Sequence, residues 1–100
     1  MTYELAFKPS ALKEWQALDA SVRAQFKRVL VRRLDAPHIE SARLHGMPDC
    51  YKIKLRAFGY RLVYQIEADV LCVTVIAVGK RERSEVYASA AKRLKNTPDK

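Results

Sequence analysis

Lys52, Lys54 and Arg56 alternate with Tyr51, Ile53 and Leu55, and Arg61 follows five residues later. Alternation at strand spacing sends the three cations to one face, neighbours about 7 Å apart, and the apolar partners to the other. A tight hairpin brings Arg61 to the cationic face. Arg81 and Arg83 come just past a long apolar run, and Tyr87 falls on the first turn of a helical segment. Cations gathered from three segments, with no acidic residue between Lys52 and Gln65, repel one another unless an anion lies among them. A phosphodiester is the natural anion. The plain alternatives are a solvated sheet face that discourages edge pairing and, for Tyr87, a ring packed on the sheet with its hydroxyl at the rim.

Such a face could cut RNA as well as hold it. Attack by a 2'-hydroxyl on the adjacent phosphate needs a proton acceptor, a proton donor for the leaving 5'-oxygen, and charge stabilisation around the phosphorane. The cationic face offers neither His nor Glu, so acid and base fall to Lys, Arg or Tyr. Lysine crowded by other cations moves toward neutrality; arginine stays charged and clamps phosphate. His38 and His45 are the rival catalysts, but they stand seven apart in a loop without partners, and backbone-contact roles suit them better. No acidic cluster, P-loop, GxGxxG or HExxH is present, which favours metal-free chemistry without a cofactor.

The elements that must position these groups are legible in the rest of the chain. A length of 100 residues with 49% hydrophobic side chains bounds it to one domain, expected over residues 1–95, with a frayed tail at 96–100. The net charge is +8, with +2 carried by residues 1–50 and +6 by 51–100. Nucleic acid is therefore the default partner. The longest apolar stretch, Val70 to Val78, is far short of a membrane span, and no leader is evident at the start, so a cytoplasmic protein with no membrane contact is expected. Cys50 and Cys72 form no CxxC pattern and read as free thiols.

Tyr3 to Phe7 reads as a first strand. Ser10 is the expected N-cap of a short helix carrying Leu12, Trp15 and Leu18. Asp19 to Ser21 open a second helix, where Val22, Phe26, Val29, Leu30 and Leu34 form an apolar stripe and Ala36-Pro37 ends it. Its cations Arg23, Lys27, Arg28, Arg32 and Arg33 read as a solvated face with no assigned chemistry. Residues 37 to 49 read as a loop turning at Gly46-Met-Pro-Asp49. Three antiparallel strands follow, the last over Val70 to Val78, and Ser84-Glu85 caps a final helix through about Leu94. The order β-α-α-β-β-β-α predicts an α+β domain, a mainly antiparallel sheet with two helices on one face and a C-terminal helix. The opposite face is expected to stay open for the site.

Four segments in order, Leu12-Lys-Glu-Trp15, Gly46 to Arg56, Gly59 to Gln65 and Val78 to Tyr87, closely resemble the RelE toxins of bacterial type II toxin-antitoxin systems over about residues 2 to 94. The resemblance implies a ribosome-dependent mRNA interferase that enters the vacant A site of the 70S ribosome and cuts the mRNA codon by 2'-hydroxyl attack. It implies a catalytic set of Lys52, Lys54, Arg61, Arg81 and Tyr87, with Arg56 and Arg83 as RNA contacts. His45 stands where a close family member has arginine, which would make RNA contact there weaker or pH-dependent. A RelB-type antitoxin is also implied, one that covers the basic face and displaces the last helix. Two rival readings remain: a non-catalytic nucleic-acid or ribosome binder, and a ParE-like toxin directed at DNA gyrase, which shares the architecture without the catalytic set.

Overall fold

The computed structural model describes residues 2–80 and 85–95. Pro9 starts helix α1 (Pro9–Gln16) with Lys8 in the capping position. Ser10 therefore lies inside the first turn and is not the cap; proline's fixed φ and missing N–H make it the better first helical residue. Helix α2 (Ala20–Asp35) buries Val22, Phe26 and Leu30, one per turn. It stops at Ala36, whose extended φ of −146° is the backbone that a following proline demands.

Strands β1 (Glu4–Phe7), β2 (Cys50–Leu55), β3 (Tyr60–Glu67) and β4 (Cys72–Lys80) form one four-stranded sheet in the order β1-β4-β3-β2. The β2-β3-β4 meander is antiparallel, as expected, and β1 adds in parallel to β4, so the sheet is mixed. The last strand begins at Cys72 instead of Val70. Ala68 to Val70 wind into a 3-10 turn and Leu71 takes a left-handed φ of 51°, which resets the chain before pairing begins. Within the loop, Glu40–Ala42 form a second 3-10 turn. No helix of the described residues is long and apolar enough to cross a membrane.

Helices α1 and α2 cover one face, packing Ala11, Leu18, Phe26 and Leu30 against Tyr51, Ile53, Leu62, Tyr64, Val73 and Val75. Helix α3 (Glu85–Lys95) lies on the other, where Val86 and Ala90 meet Cys50, Val63, Ile76 and Ala77. The second face is thus not left open along its whole width: α3 covers the β4 side, and the cations of β2 and β3 emerge beside it. The phase change that permits this is a bulge. Val63 pairs with Ala77 but Tyr64 with Val75, so Ile76 is an extra residue on β4 and joins Ala77 on the α3 face. The Ser84 cap, like Arg81 and Arg83, lies outside the described residues.

Burial also marks Cys50. Its thiol is fully enclosed and pushed up to about 11 by loss of solvation, with Asp49 adding to the effect. The unfolded thiol ionises near 9, so above that pH the unfolded chain loses a proton the fold retains, and stability falls as pH rises toward 11. The expected loss is about 2–3 kcal/mol. Chemical denaturation of wild type and Cys50→Ala across this range should show a shallower alkaline decline for the variant.

Candidate catalytic and RNA-binding site

The hairpin sets the site's geometry. Lys54 lies directly opposite Arg61, and Lys52 opposite Val63, so all three cations share the face on which Val63 packs toward α3. On the far side of β3, Arg61 lies opposite Gly79 of β4. A side chain at position 79 would occupy the space into which α3 settles: a Cβ there would stand 3.0 Å from Val86 Cγ2. The missing Cβ lets the helix approach, and the next residue, Tyr87, reaches the cationic face.

There the Arg61 guanidinium donates from Nη1 to the Tyr87 hydroxyl at 3.0 Å, and its central carbon stands 5.3 Å from the ring centroid. An arginine with several donors spends one on tyrosine and keeps others for an anion. Lys54, Leu55, Arg56, Tyr60 and Arg61 line a polar pocket of about 250 Å³ beside this pair. Around the β2 edge, Lys52, Lys54 and Arg56 line an open trough of about 410 Å³ with Arg33, Ser41 and Ala42. The two hollows share Lys54 and Arg56. Together they form a cationic channel turning from the sheet face over its edge, of a kind that follows a phosphate backbone.

Four of the expected catalytic residues, Lys52, Lys54, Arg61 and Tyr87, thus stand on one face, and Arg56 joins them at the pocket. Arg81 falls outside the described residues. So does Arg83. His45 lines a separate cleft of about 350 Å³ with Arg43, Leu44, Gly46, Met47 and Pro48. Leu44 and Met47 of that loop pack toward the α3 cluster, and His45 does not line the pocket at Arg61. The His38 ring meets Tyr3 and Tyr51 edge-on at 6.4 and 6.0 Å, and Tyr51 belongs to the sheet face opposite Lys52 and Lys54.

Arg33 is the residue that sequence reasoning assigned no chemistry and the structure places at the site's border. It donates to the buried Tyr64 hydroxyl at 2.8 Å and reaches the Lys52 carbonyl at 3.4 Å. The Tyr64 hydroxyl in turn donates a hydrogen bond to the Pro37 carbonyl at 2.7 Å. Burial raises the Tyr64 phenol above its ordinary value despite the opposing effect of Arg33. The signal was present in the spacing, since position 33 continues the stripe of Phe26 and Leu30 at seven and three residues.

The model of the ParE toxin of type II toxin-antitoxin systems, parDE, matches residues 5–85. The mRNA interferase toxin RelE of Escherichia coli K12 is 58% identical over 94% of this chain and 99% of its own length. This chain belongs to the RelE toxin family. The mRNA interferase RelE of Shigella flexneri is equally similar, 58% identical over the same shares. In three dimensions the chain is similar to a mutant E. coli toxin RelE in the free state, with a TM-score of 0.88 at 56% identity, covering 94% of this chain and 99% of that one. It is also similar to RelE in the intact E. coli RelBE toxin-antitoxin complex, with a TM-score of 0.78 at 57% identity over 81% and 99% of the two chains.

Proposed function

We propose that this RelE-family chain is the toxin of a type II pair and cuts messenger RNA in the vacant A site of the ribosome by 2'-hydroxyl attack. The observation that carries the reading is the Arg61–Tyr87 hydrogen bond, made beside Lys52 and Lys54 on one sheet face. The similar proteins from E. coli and S. flexneri are named mRNA interferases, which supports it. A gyrase-directed toxin needs no cation and tyrosine arranged around a phosphate.

In the proposed reaction the 2'-oxygen bonds to phosphorus and its proton passes to Lys52 or Tyr87. Arg61, with Arg81, stabilises the charge on the phosphorane oxygens. The bond to the 5'-oxygen breaks as that oxygen takes a proton from Lys54 or Arg81. The products are a 2',3'-cyclic phosphate and a 5'-hydroxyl, so no water is consumed. Arg56, Arg83 and His45 hold the flanking RNA. The ribosome completes the reactive geometry by bending the message, so naked RNA is a poor substrate.

The partner that restrains this activity is an antitoxin of the RelB kind, as in the E. coli RelBE complex. An acidic segment would complement the surplus charge. Both proteins would meet in the cytoplasm.

Purified protein mixed with ribosomes holding an empty A site should cut the message within the A-site codon and leave a cyclic phosphate. Primer extension locates the cut, and an upstream fragment whose 3' end becomes ligatable only after acid opening followed by phosphatase treatment, and not after phosphatase alone, reports its chemistry. Ribosome binding with intact message would favour the non-catalytic binder. Intact message together with inhibited gyrase supercoiling would favour the ParE-like reading.

A further inference from the structure

Strand β1 pairs with β4 only as far as Phe7 opposite Val75, and Lys8 N–H closes that ladder on the Val75 carbonyl. Beyond it, β4 continues along a flank that β1 has left. Two side chains take over there. The Val78 N–H donates to Glu14 Oε1 at 3.0 Å, and Arg93 Nη1 donates to the Ile76 carbonyl at 2.8 Å. Glu14 and Arg93 also grip each other in a two-pronged pair, Nη1 to Oε1 at 2.9 Å and Nη2 to Oε2 at 3.0 Å. Their side chains are only 33% and 18% exposed, so water screens the pair weakly.

Glu14 belongs to α1 on one face of the sheet, Arg93 to α3 on the other. The pair therefore fastens the two helix layers to each other round the vacated flank of β4. On α3, Arg93 continues the stripe of Val86 and Ala90, seven and three residues on, so it is the charged end of the surface that faces the sheet. The helix is thus held at both ends: Val86 over Gly79 near its start, and Arg93 on Glu14 near its finish. One contact locates a helix; two fix its direction. Tyr87 projects from the first turn, and its 3.0 Å contact with Arg61 depends on that direction.

We infer that the Glu14–Arg93 clasp is the positioning device that holds Tyr87 in register with Arg61. Neither residue borders the cationic pocket, and both act on the reaction through the helix. The inference rests on the nuclease reading for its effect on rate, and on the fold alone for its effect on the Arg61–Tyr87 contact.

Glu14→Gln retains an oxygen for the Val78 N–H and removes the charge that grips Arg93. Arg93→Lys retains the charge and removes the fork, and serves should the first variant fold poorly. With either variant, single-turnover cleavage on programmed ribosomes should show kcat lowered about 10- to 100-fold with KM unchanged. In the free protein, the NMR signals of the Tyr87 ring should move toward their positions in an Arg61→Lys protein, and those of the Arg61 side chain toward their positions in a Tyr87→Phe protein. A folded variant with wild-type kcat, or one in which those signals stay in place, would overturn the proposal. Should wild type leave the message intact, the nuclease reading fails, and the NMR signals still decide the clasp.

Discussion

Replacing Arg61 by Ala is expected to slow A-site cleavage about 100- to 1,000-fold with little change in thermal stability. The guanidinium donates to the Tyr87 hydroxyl and borders the pocket that Lys54, Arg56 and Tyr60 complete. It touches both the tyrosine and the cationic hollow, so its loss removes phosphate stabilisation and frees Tyr87 together. The fold is indifferent to it for a separate reason. Arg61 is half-buried, its hydrophobic neighbours Leu62 and Val63 carry the packing, and no described carboxylate is left uncompensated by its removal. The hydrogen bond lost with the side chain is worth about 0.5–1.5 kcal/mol, a minor part of the whole. Arg61→Lys keeps the charge without the planar fork and should recover part of the rate. Quenched-flow cleavage on programmed ribosomes alongside a melting curve checks both halves, and an Arg61→Ala protein that cuts at the wild-type rate would remove Arg61 from the site.

Gly79→Ala should also slow cleavage, by about 10-fold, although position 79 carries no chemistry. Its φ is ordinary, so the cost is one of space: the new Cβ would meet Val86 Cγ2 at 3.0 Å. Val86 is 5% exposed and packed among Cys50, Val63, Ile76 and Ala77, so it has little room to give. The strain of such a contact is typically about 1–3 kcal/mol. The helix yields more readily than the strand, and a shift of a few tenths of an ångström at Val86 is passed to the adjoining Tyr87, enough to cost about 10-fold in rate. Trimming the obstacle should reverse the loss. In the Gly79→Ala, Val86→Ala double variant α3 can settle again, and most of the cleavage rate should return despite a weaker core. A Gly79→Ala protein with full activity, or a double variant no better than the single, would show that helix approach does not control the site.

These two substitutions also mark how far the chain could be read without coordinates. Lys52, Lys54 and Arg61 were placed on one face by alternation alone, because a strand buried on one side leaves its polar parity unambiguous. The α2 stripe of Val22, Phe26 and Leu30 was visible for the same reason, at helical spacing. Strand β4 gave no such guidance. Covered on both faces, it is apolar at either parity, so the extra residue at Ile76 and the phase it sets for Gly79 left no trace in the pattern. The left-handed turn at Leu71 was equally silent, since nothing in a leucine advertises that backbone.

Long-range pairs were beyond reach altogether. Glu14 and Arg93 are 79 residues apart and each looks like one more surface charge on its own helix. Arg33 was hidden among the basic residues of α2, although its spacing set it at the edge of the buried stripe. That α3 would share the face of the cations followed from neither helix pattern nor charge; it depends on the missing side chain at Gly79 and on the clasp at the helix's far end.

Whether Arg61 and Tyr87 work as one unit can be measured directly with a double-mutant cycle of Arg61→Ala and Tyr87→Phe, read as single-turnover cleavage in the A site. Two groups acting through a shared hydrogen bond should couple by about 0.5–3 kcal/mol, so the double variant should lose clearly less than the product of the two single losses. Rate losses that simply multiply would mean that the two side chains act apart, and that the contact between them is incidental to cutting RNA.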